Sequence, residues 1–244
     1  MEKFYTWQLD SLVIILRYTL IAGLGYFIFY VWKKRTFFKI KIQPDPPPHG
    51  MILKEILYSC LTLMMYCATS WVVFAAYKSR YTKIYADIHK HTYVYFTFSV
   101  LIMIVTHDTY FYWTHRFMHL PWVFRIAHQI HHVSYNPTPW SAFSFHPIEA
   151  LISIGILPLI VLAIPCHPLA LSAFLTYMTL INVMGHLGYE TFPMWFRKSK
   201  VLRLQNTSTN HNIHHQLSRY NFGFYFTFWD RVMNTYRNEL GKNG

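Results

Sequence analysis

The chain has 244 residues, of which 53% are hydrophobic, 19% are aromatic and only 13% are charged. This composition is too apolar for an ordinary water-soluble domain and indicates a membrane protein. The formal net charge of +12 does not indicate nucleic-acid binding, because the basic residues flank apolar segments, as residues 33–35 do after Trp32. Cys60, Cys67 and Cys166 lie in or beside apolar segments, so they indicate neither a disulfide framework nor a thiolate metal site.

Hydropathy predicts a first membrane helix at about residues 11–32 and a second at about 56–77. Each is near the ~20 residues needed to cross the hydrocarbon layer. Between them lies a strongly basic loop, residues 33–54, whose proline run at 46–48 excludes a continuous helix. Under the positive-inside rule, this loop is expected to face the cytoplasm.

A third helix begins near Tyr93, and its periodicity continues to Pro121, so it is expected to leave the membrane carrying histidines. Two further apolar stretches, at about 150–164 and 169–185, are rather short and predict a helical hairpin that is tilted or partly inserted. A hairpin returns the chain to the side from which it entered. We therefore expect His186 and all that follows at the same cytoplasmic face as the histidines of the third helix.

Nine histidines fall into four groups, two of which repeat the pattern H-x-x-H-H. Residues three or four apart share one face of a helix, so members of a group can bind one metal ion. A lone histidine is more often a hydrogen-bonded structural residue, but the repeated pattern favours metal binding. The predicted ligands, expected to be catalytic, are His115, His119, His128, His131, His132, His186, His211, His214 and His215.

Imidazole ligands suit iron, zinc, copper and nickel, and the lack of thiolates argues against an iron–sulfur cluster or a structural zinc site. The number of histidines exceeds the needs of one ion, so two metals are predicted, which favours O₂ activation over a static scaffold. The rival hypothesis is a metal transporter or sensor, which would need polar residues along the membrane helices.

Several other residues beside the histidine groups are candidates for orienting the ligands, as carboxylates often do. The candidates are Asp108, Glu149, Glu190 and His146, the last also a candidate ligand. Asp230 is a further candidate, and for this residue an ion pair with a neighbouring arginine is as good an interpretation as orienting a ligand. His107 is more typical of an interfacial histidine.

Ordered motifs over about residues 93–237 resemble those of the fatty acid hydroxylase/sterol desaturase superfamily. They are HDTYFYWTHRFMH at 107–119, HxxHH at 128–132, AFSFHPIE at 142–149, GHxGYE at 185–190, HxxHH at 211–215, NFG at 221–223 and FWD at 228–230. The resemblance is strongest to the sterol C5-desaturase-like branch and its bacterial relatives. One departure is Phe222, where the family usually has tyrosine.

The resemblance implies an O₂-dependent enzyme with two iron ions that hydroxylates or desaturates a sterol, a fatty acyl chain or a related lipid. Zinc is an alternative occupant in a purified form, and electrons are expected from an external donor of the cytochrome b5 or ferredoxin type. The expected fold is all-α, with multi-pass membrane helices and a cytosolic helical cap that carries the histidine-rich di-metal site.

We expect one structural domain with two regions. Residues 1–92 would form the N-terminal membrane helices and basic loop, and residues 93–244 the catalytic region. The sequence leaves the bacterial inner membrane and the endoplasmic reticulum both open as locations.

Overall fold

The computed structural model describes residues 6–238. Over this range the regular structure is helical, with three isolated bridge pairs and no strand. The predicted all-α fold is therefore confirmed. The first predicted region begins with residues 1–5 and the second ends with residues 239–244, and both of these ends lie outside the described residues.

Seven main helices account for most of the described chain. They are α1 (Trp7–Tyr26), α2 (Met51–Lys78), α3 (Tyr93–Met118), α4 (Pro147–Ile154), α5 (Ile156–Ala163), α6 (Pro168–Gly185) and α7 (Ser208–Leu217). A π-helical turn, Phe27–Trp32, extends α1, and α1 with this turn, α2, α3 and α6 are each long and apolar enough to cross a membrane.

Short helical segments connect the main helices. The α-helical ones are Lys34–Phe37, Pro121–Val123, Gln129–His132, Met194–Lys198 and Phe228–Val232, the 3₁₀ ones are Phe38–Ile40, Ile88–Lys90, Pro139–Phe143 and Leu202–Leu204, and a second π-helical turn is Phe124–His128. Most of them lie in the region that carries the histidine groups.

The predicted hairpin is present, but its first arm is broken into α4 and α5 at Gly155. A Cβ on Gly155 would stand 2.8 Å from the hydroxyl oxygen of Tyr110, which itself donates a 2.6 Å hydrogen bond to the carbonyl of Ile152. Glycine therefore lets α3 approach the hairpin closely. The second arm, α6, has 18 residues and is long enough to span.

Backbone contacts show which loops share an end of the helix bundle. The amide of Ile42 donates to the carbonyl of Gly188 at 3.0 Å, and that of Glu190 to Ile40 at 2.8 Å, so the basic loop meets the segment after α6. At the other end, the amide of Tyr85 donates to Cys166 at 3.1 Å. The histidine segments thus gather at the end that carries the basic loop, and the direction in which this end faces stays a prediction.

Buried polar contacts tie the first two helices to the loop between the HxxHH motif and α4. Glu55, fully buried in α2, accepts a hydrogen bond from the Thr138 hydroxyl. The hydroxyls of Tyr18 and Ser59 donate to the carbonyl of Trp140 at 2.7 and 2.8 Å. The N-terminal helices therefore pack directly on the histidine-bearing region.

Candidate metal centre

The structure brings all nine predicted histidines into two adjoining clusters, and within each cluster one ring nitrogen per residue lies within 4.8 Å of the others. We call them the five-histidine cluster and the four-histidine cluster. The first contains His115, His119, His128, His132 and His214, and the second contains His131, His186, His211 and His215. Either set can hold a metal ion.

Each HxxHH motif supplies both clusters. On α7, His211 and His215 are four residues apart and share a face, so both join the four-histidine cluster, whereas His214 points into the other. The first motif divides in the same way, with His128 and His132 on one side and His131 on the other. The repetition of the motif is therefore what allows two neighbouring sites.

In the four-histidine cluster, Nε2 of His186 lies 2.9 Å from Nε2 of His211, 3.2 Å from that of His131 and 3.3 Å from that of His215. Nitrogens bound to one ion at about 2.1 Å, at bond angles near 90–110°, are separated by roughly 3.0–3.4 Å. The observed separations therefore fit the edges of one coordination shell.

The five-histidine cluster has the same spacing. Its Nε2–Nε2 distances are 3.1 Å for the pairs His115–His128, His119–His214 and His132–His214. The rings of the two clusters adjoin, with centroids of His132 and His215 4.8 Å apart. Two ions bound here would be close neighbours.

The other ring nitrogen, Nδ1, of four histidines lies against a backbone carbonyl. The pairs are His115 with Phe222 (2.9 Å), His131 with Ser144 (3.4 Å), His186 with Asn182 (2.8 Å) and His214 with Tyr220 (2.7 Å). A carbonyl only accepts, so Nδ1 must carry the proton and Nε2 presents a bare lone pair. Lone pairs that converge at about 3 Å repel one another unless a cation lies between them, so this donor set fits a metal.

Glu149 has the contact expected of an orienting carboxylate. Its Oε1 lies 2.8 Å from Nδ1 of His128, and both side chains are almost fully buried. This contact holds the ring with Nε2 toward the five-histidine cluster and increases its basicity.

The other three predicted supporting residues lie outside both clusters. Asp108 accepts from the amides of Tyr225 and Phe226 at 2.8 and 3.2 Å. The other two residues accept hydrogen bonds from amides at the start of a helix. Glu190 accepts from the amide of Thr209 in α7 at 3.2 Å. His146 accepts from the amide of Ile148 in α4 at 3.3 Å. They hold backbone segments rather than imidazole rings.

Asp230 acts on a ligand through the backbone. Its carboxylate oxygens accept from the amides of Phe222 and Gly223, each at 2.8 Å, and the carbonyl of Phe222 is the partner of His115. Burial raises the pKa of Asp230 and these hydrogen bonds oppose that rise. These contacts support a positioning role, and the charge of Arg116 also lowers the pKa of Asp230. His107 is buried against Tyr225, with Nδ1 2.9 Å from the hydroxyl oxygen.

The cluster histidines that follow α3 or α6 in the chain, outside these helices, are held neutral. Burial, followed by the neighbouring imidazoles, keeps the pKa of His119, His128, His131 and His211 well below the ordinary value. Burial lowers the pKa of His186 to about 4. The rings are therefore in the form that binds a metal at neutral pH.

Aromatic rings close the centre. The ring of Phe222 packs on those of His115, His119 and His214 with centroid separations of 5.7, 5.1 and 5.4 Å. The ring expected at this position of the family is therefore retained without the hydroxyl. Phe145 packs on His131 at 5.2 Å and covers the other cluster.

Comparison with known proteins supports the resemblance. A family model described as fatty acid hydroxylase matches residues 100–235, which is more than half of the chain. The chain is 26% identical to the lathosterol oxidase of Rattus norvegicus over 98% of this chain and 81% of that protein. It is 27% identical to the Delta(7)-sterol 5(6)-desaturase of Candida glabrata over 97% of this chain and 61% of that protein.

No solved structure matches the chain significantly. The matched region nevertheless contains all nine histidines of the two clusters. The chain therefore belongs to the fatty acid hydroxylase family, within the fatty acid hydroxylase/sterol desaturase superfamily that its motifs resemble.

Proposed function

We propose that this chain is a membrane-bound, O₂-dependent di-iron oxidoreductase that hydroxylates or desaturates a lipid. The observation that carries the proposal is the convergence of imidazole Nε2 lone pairs, fixed in direction by their Nδ1 contacts, into two adjoining clusters. Family membership and sterol-desaturase relatives support a lipid oxidoreductase in a membrane.

The number of imidazoles in the five-histidine cluster supports iron over zinc. A structural zinc ion takes four ligands, and the five-histidine cluster offers five. Two iron ions bound by the nine histidines would supply the O₂ activation that attack on an unactivated C–H bond requires. A zinc ion in a purified form would use the same imidazoles.

The residues of the chain prepare the site in three ways. The carbonyls of Phe222, Asn182 and Tyr220 orient the ligand rings, and Glu149 raises the basicity of His128. Aromatic side chains keep water from the reacting carbon. The membrane helices admit the lipid from the hydrocarbon layer.

The substrate class is a lipid with an unactivated C–H bond. The printed names of the relatives, lathosterol oxidase and Delta(7)-sterol 5(6)-desaturase, favour a sterol, with a fatty acyl chain or a related lipid as alternatives. The same ligands serve both outcomes: one hydrogen abstraction with oxygen transfer gives an alcohol, and two abstractions give an alkene. Substrate placement decides between them.

The reaction needs electrons from outside, and a cytochrome b5 or a ferredoxin-type protein is the proposed donor. We place the histidine centre at the cytoplasmic face of the endoplasmic reticulum or the bacterial inner membrane, because the basic loop lies at the same end. Residues 93–244 form the catalytic region of a single domain, anchored by residues 1–92. A metal transporter is disfavoured because both clusters lie at one end of the helices.

The test is expression in a lipid-rich host, with mass spectrometry of sterols, acyl lipids and carotenoids. Wild type should produce a lipid that has lost two hydrogens or gained one oxygen, and His131→Ala should not. Purified protein that contains iron while no lipid differs between the two strains would contradict the proposal.

A further inference from the structure

Two neighbouring segments at the histidine end combine cations with exposed apolar side chains. We call residues 34–41 and 192–204 together the basic rim. Backbone hydrogen bonds from Ile42 to Gly188 and from Glu190 to Ile40 hold the two segments side by side. The rim follows the ends of α1 and α6, so it lies where two spanning helices leave the hydrocarbon layer.

The charge of the basic rim is of one sign. Its residues include eight cations and no aspartate or glutamate; the cations are Lys34, Arg35, Lys39, Lys41, Arg197, Lys198, Lys200 and Arg203. Two acids lie nearby. Glu190 is already used by the amides of Phe192 and Thr209, and the backbone carbonyl of Asp45 accepts from the Lys41 ammonium at 2.8 Å. Within the described residues, the rim is therefore a concentrated positive surface.

Large apolar side chains stand exposed among these cations. Trp195 is 68% exposed, Val201 71%, Met194 54% and Phe38 54%. Interleaved Lys/Arg and exposed Trp, Phe and Val are typical of a segment that lies in a membrane interface. A surface that only docks an acidic protein in water would not need these apolar groups.

The rim also contains concave sites for a headgroup. A cavity of about 490 Å³ is lined by three cations, Lys39, Lys41 and Arg197, and by one acid, Glu190. A second cavity, of about 350 Å³, is lined by Arg197, Lys198 and Arg203. Arg197 lies between them, and its Nε is buried without a hydrogen-bond partner among the described residues. This arrangement suits the oxygens of a phosphate group.

We propose that the basic rim binds anionic phospholipids by their phosphate headgroups, with Trp195 and Val201 inserted in the interface. Arg197 is the central contact and is shared by both cavities. The proposal is independent of the proposed catalytic function, because it concerns lipid bound outside the metal centre. An acidic protein as the occupant is the alternative that the test separates.

The first test is native mass spectrometry of the full chain, released from nanodiscs of equal parts phosphatidylcholine and phosphatidylglycerol. Wild type should retain phosphatidylglycerol preferentially. Each cation near an anionic surface is worth about fivefold in affinity, so loss of three in Arg197→Gln/Lys198→Gln/Arg203→Gln should reduce that preference by roughly 100-fold. The matched control, Lys78→Gln/Arg80→Gln/Lys90→Gln at the other end, should leave it unchanged.

A wild-type measurement keeps the proposal testable if the triple variant does not fold. A water-soluble amine reagent should label Lys198 and Lys200 several-fold less in phosphatidylglycerol nanodiscs than in neutral ones. Absence of any preference for phosphatidylglycerol, an equal loss in the control variant, or equal labelling in both membranes would overturn the proposal. Equal labelling together with retention of an acidic redox protein would assign the rim to protein docking.

Discussion

His115, His186 and His214 each give an Nδ1 proton to a backbone carbonyl, at 2.7–2.9 Å, which leaves Nε2 as a fixed lone pair. The proton must be on Nδ1, because the partner is a carbonyl oxygen, which accepts a hydrogen bond and cannot donate one. His131 is fixed in the same way by the carbonyl of Ser144, so without a cation the bare Nε2 atoms of His131 and His186, 3.2 Å apart, would repel each other. These contacts therefore favour a cation between the rings.

Loss of a ligand should remove metal where loss of a nearby histidine does not. His214→Ala deletes a ring whose Nε2 lies 3.1 Å from those of both His119 and His132, so we expect the five-histidine cluster to lose its metal and lipid oxidation to fall more than about 100-fold. His146→Ala is the control, because His146 lies outside both clusters. Metal analysis and product yield report the result; equal loss in both variants would count against the assignment of ligands.

Glu149→Gln tests the orienting carboxylate. Replacement of this carboxyl group beside His128 Nδ1 by a less basic amide should weaken metal binding about 10- to 100-fold while the fold is kept. Competition with a chelator measures the affinity, and Asp87→Asn, at the exposed start of the 3₁₀ segment Ile88–Lys90, serves as the control. An unchanged affinity in Glu149→Gln would assign Glu149 a purely structural role.

At the scale of elements, the turn after α6 depends on a glycine. Gly188 has φ +74°, and a Cβ there would meet the Tyr30 hydroxyl oxygen at 2.5 Å and the Pro137 carbonyl oxygen at 3.2 Å. Gly50 has nearly the same φ, +76°, but open space around it. Alanine variants at these two glycines therefore separate the cost of backbone strain from the cost of steric contact.

We expect both alanine variants to lose about 1 kcal/mol from the strained φ and Gly188→Ala to lose a further 1–3 kcal/mol from the contact. Thermal unfolding in detergent measures the difference between the two. Equal melting temperatures would mean that the segment after α6 shifts freely, in conflict with its hydrogen bonds to Ile40 and Ile42.

The spanning helices were predictable because length and apolar composition act locally, and the structure extends the second from about 56–77 to Met51–Lys78. The break at Gly155 was not predictable, because it depends on contact with Tyr110, which is distant in the sequence. The same holds for Glu55, whose partner Thr138 is 83 residues away. An acid at the start of an apolar helix was the one available signal.

The histidine sites were likewise predictable only in part. Hydropathy and the placement of Lys and Arg predicted that the nine histidines lie at one end of the bundle, and motif spacing predicted which rings share a helix face. It could not assign the rings to clusters or show the carbonyl partners, because backbone groups carry no sequence signal. Asp230 was left between two roles because its contacts to Phe222 and Gly223 depend on a turn.

At the scale of the whole molecule, the two clusters make stability depend on pH. Burial lowers the pKa of His186 to about 4 from an ordinary value of 6.5, and those of His131, His132 and His211 also fall. Below about pH 6.5, the unfolded chain therefore binds more protons than the folded one, so acid favours unfolding.

The metal-free protein should accordingly lose stability as the pH falls from about 6.5 toward 4, and change little above that window. Melting temperatures recorded across the window, after metal removal by a chelator, measure the effect. Bound metal should raise stability at neutral pH and make the acid loss steeper, because protons compete for the same nitrogens. Burial raises the pKa of Glu149, which opposes this loss, so a melting temperature that does not vary with pH would mean that the histidines do not dominate the response to acid.

The central claim is that the nine histidines hold two iron ions. X-ray absorption at the iron edge, with iron counted per chain after anaerobic reconstitution of the full protein with ferrous iron, tests it most directly. We predict two iron ions per chain, coordinated by imidazole nitrogen without sulfur, and loss of iron from His131→Ala and His214→Ala. Fewer than one iron per chain, or a wild-type iron content in both variants, would contradict the account.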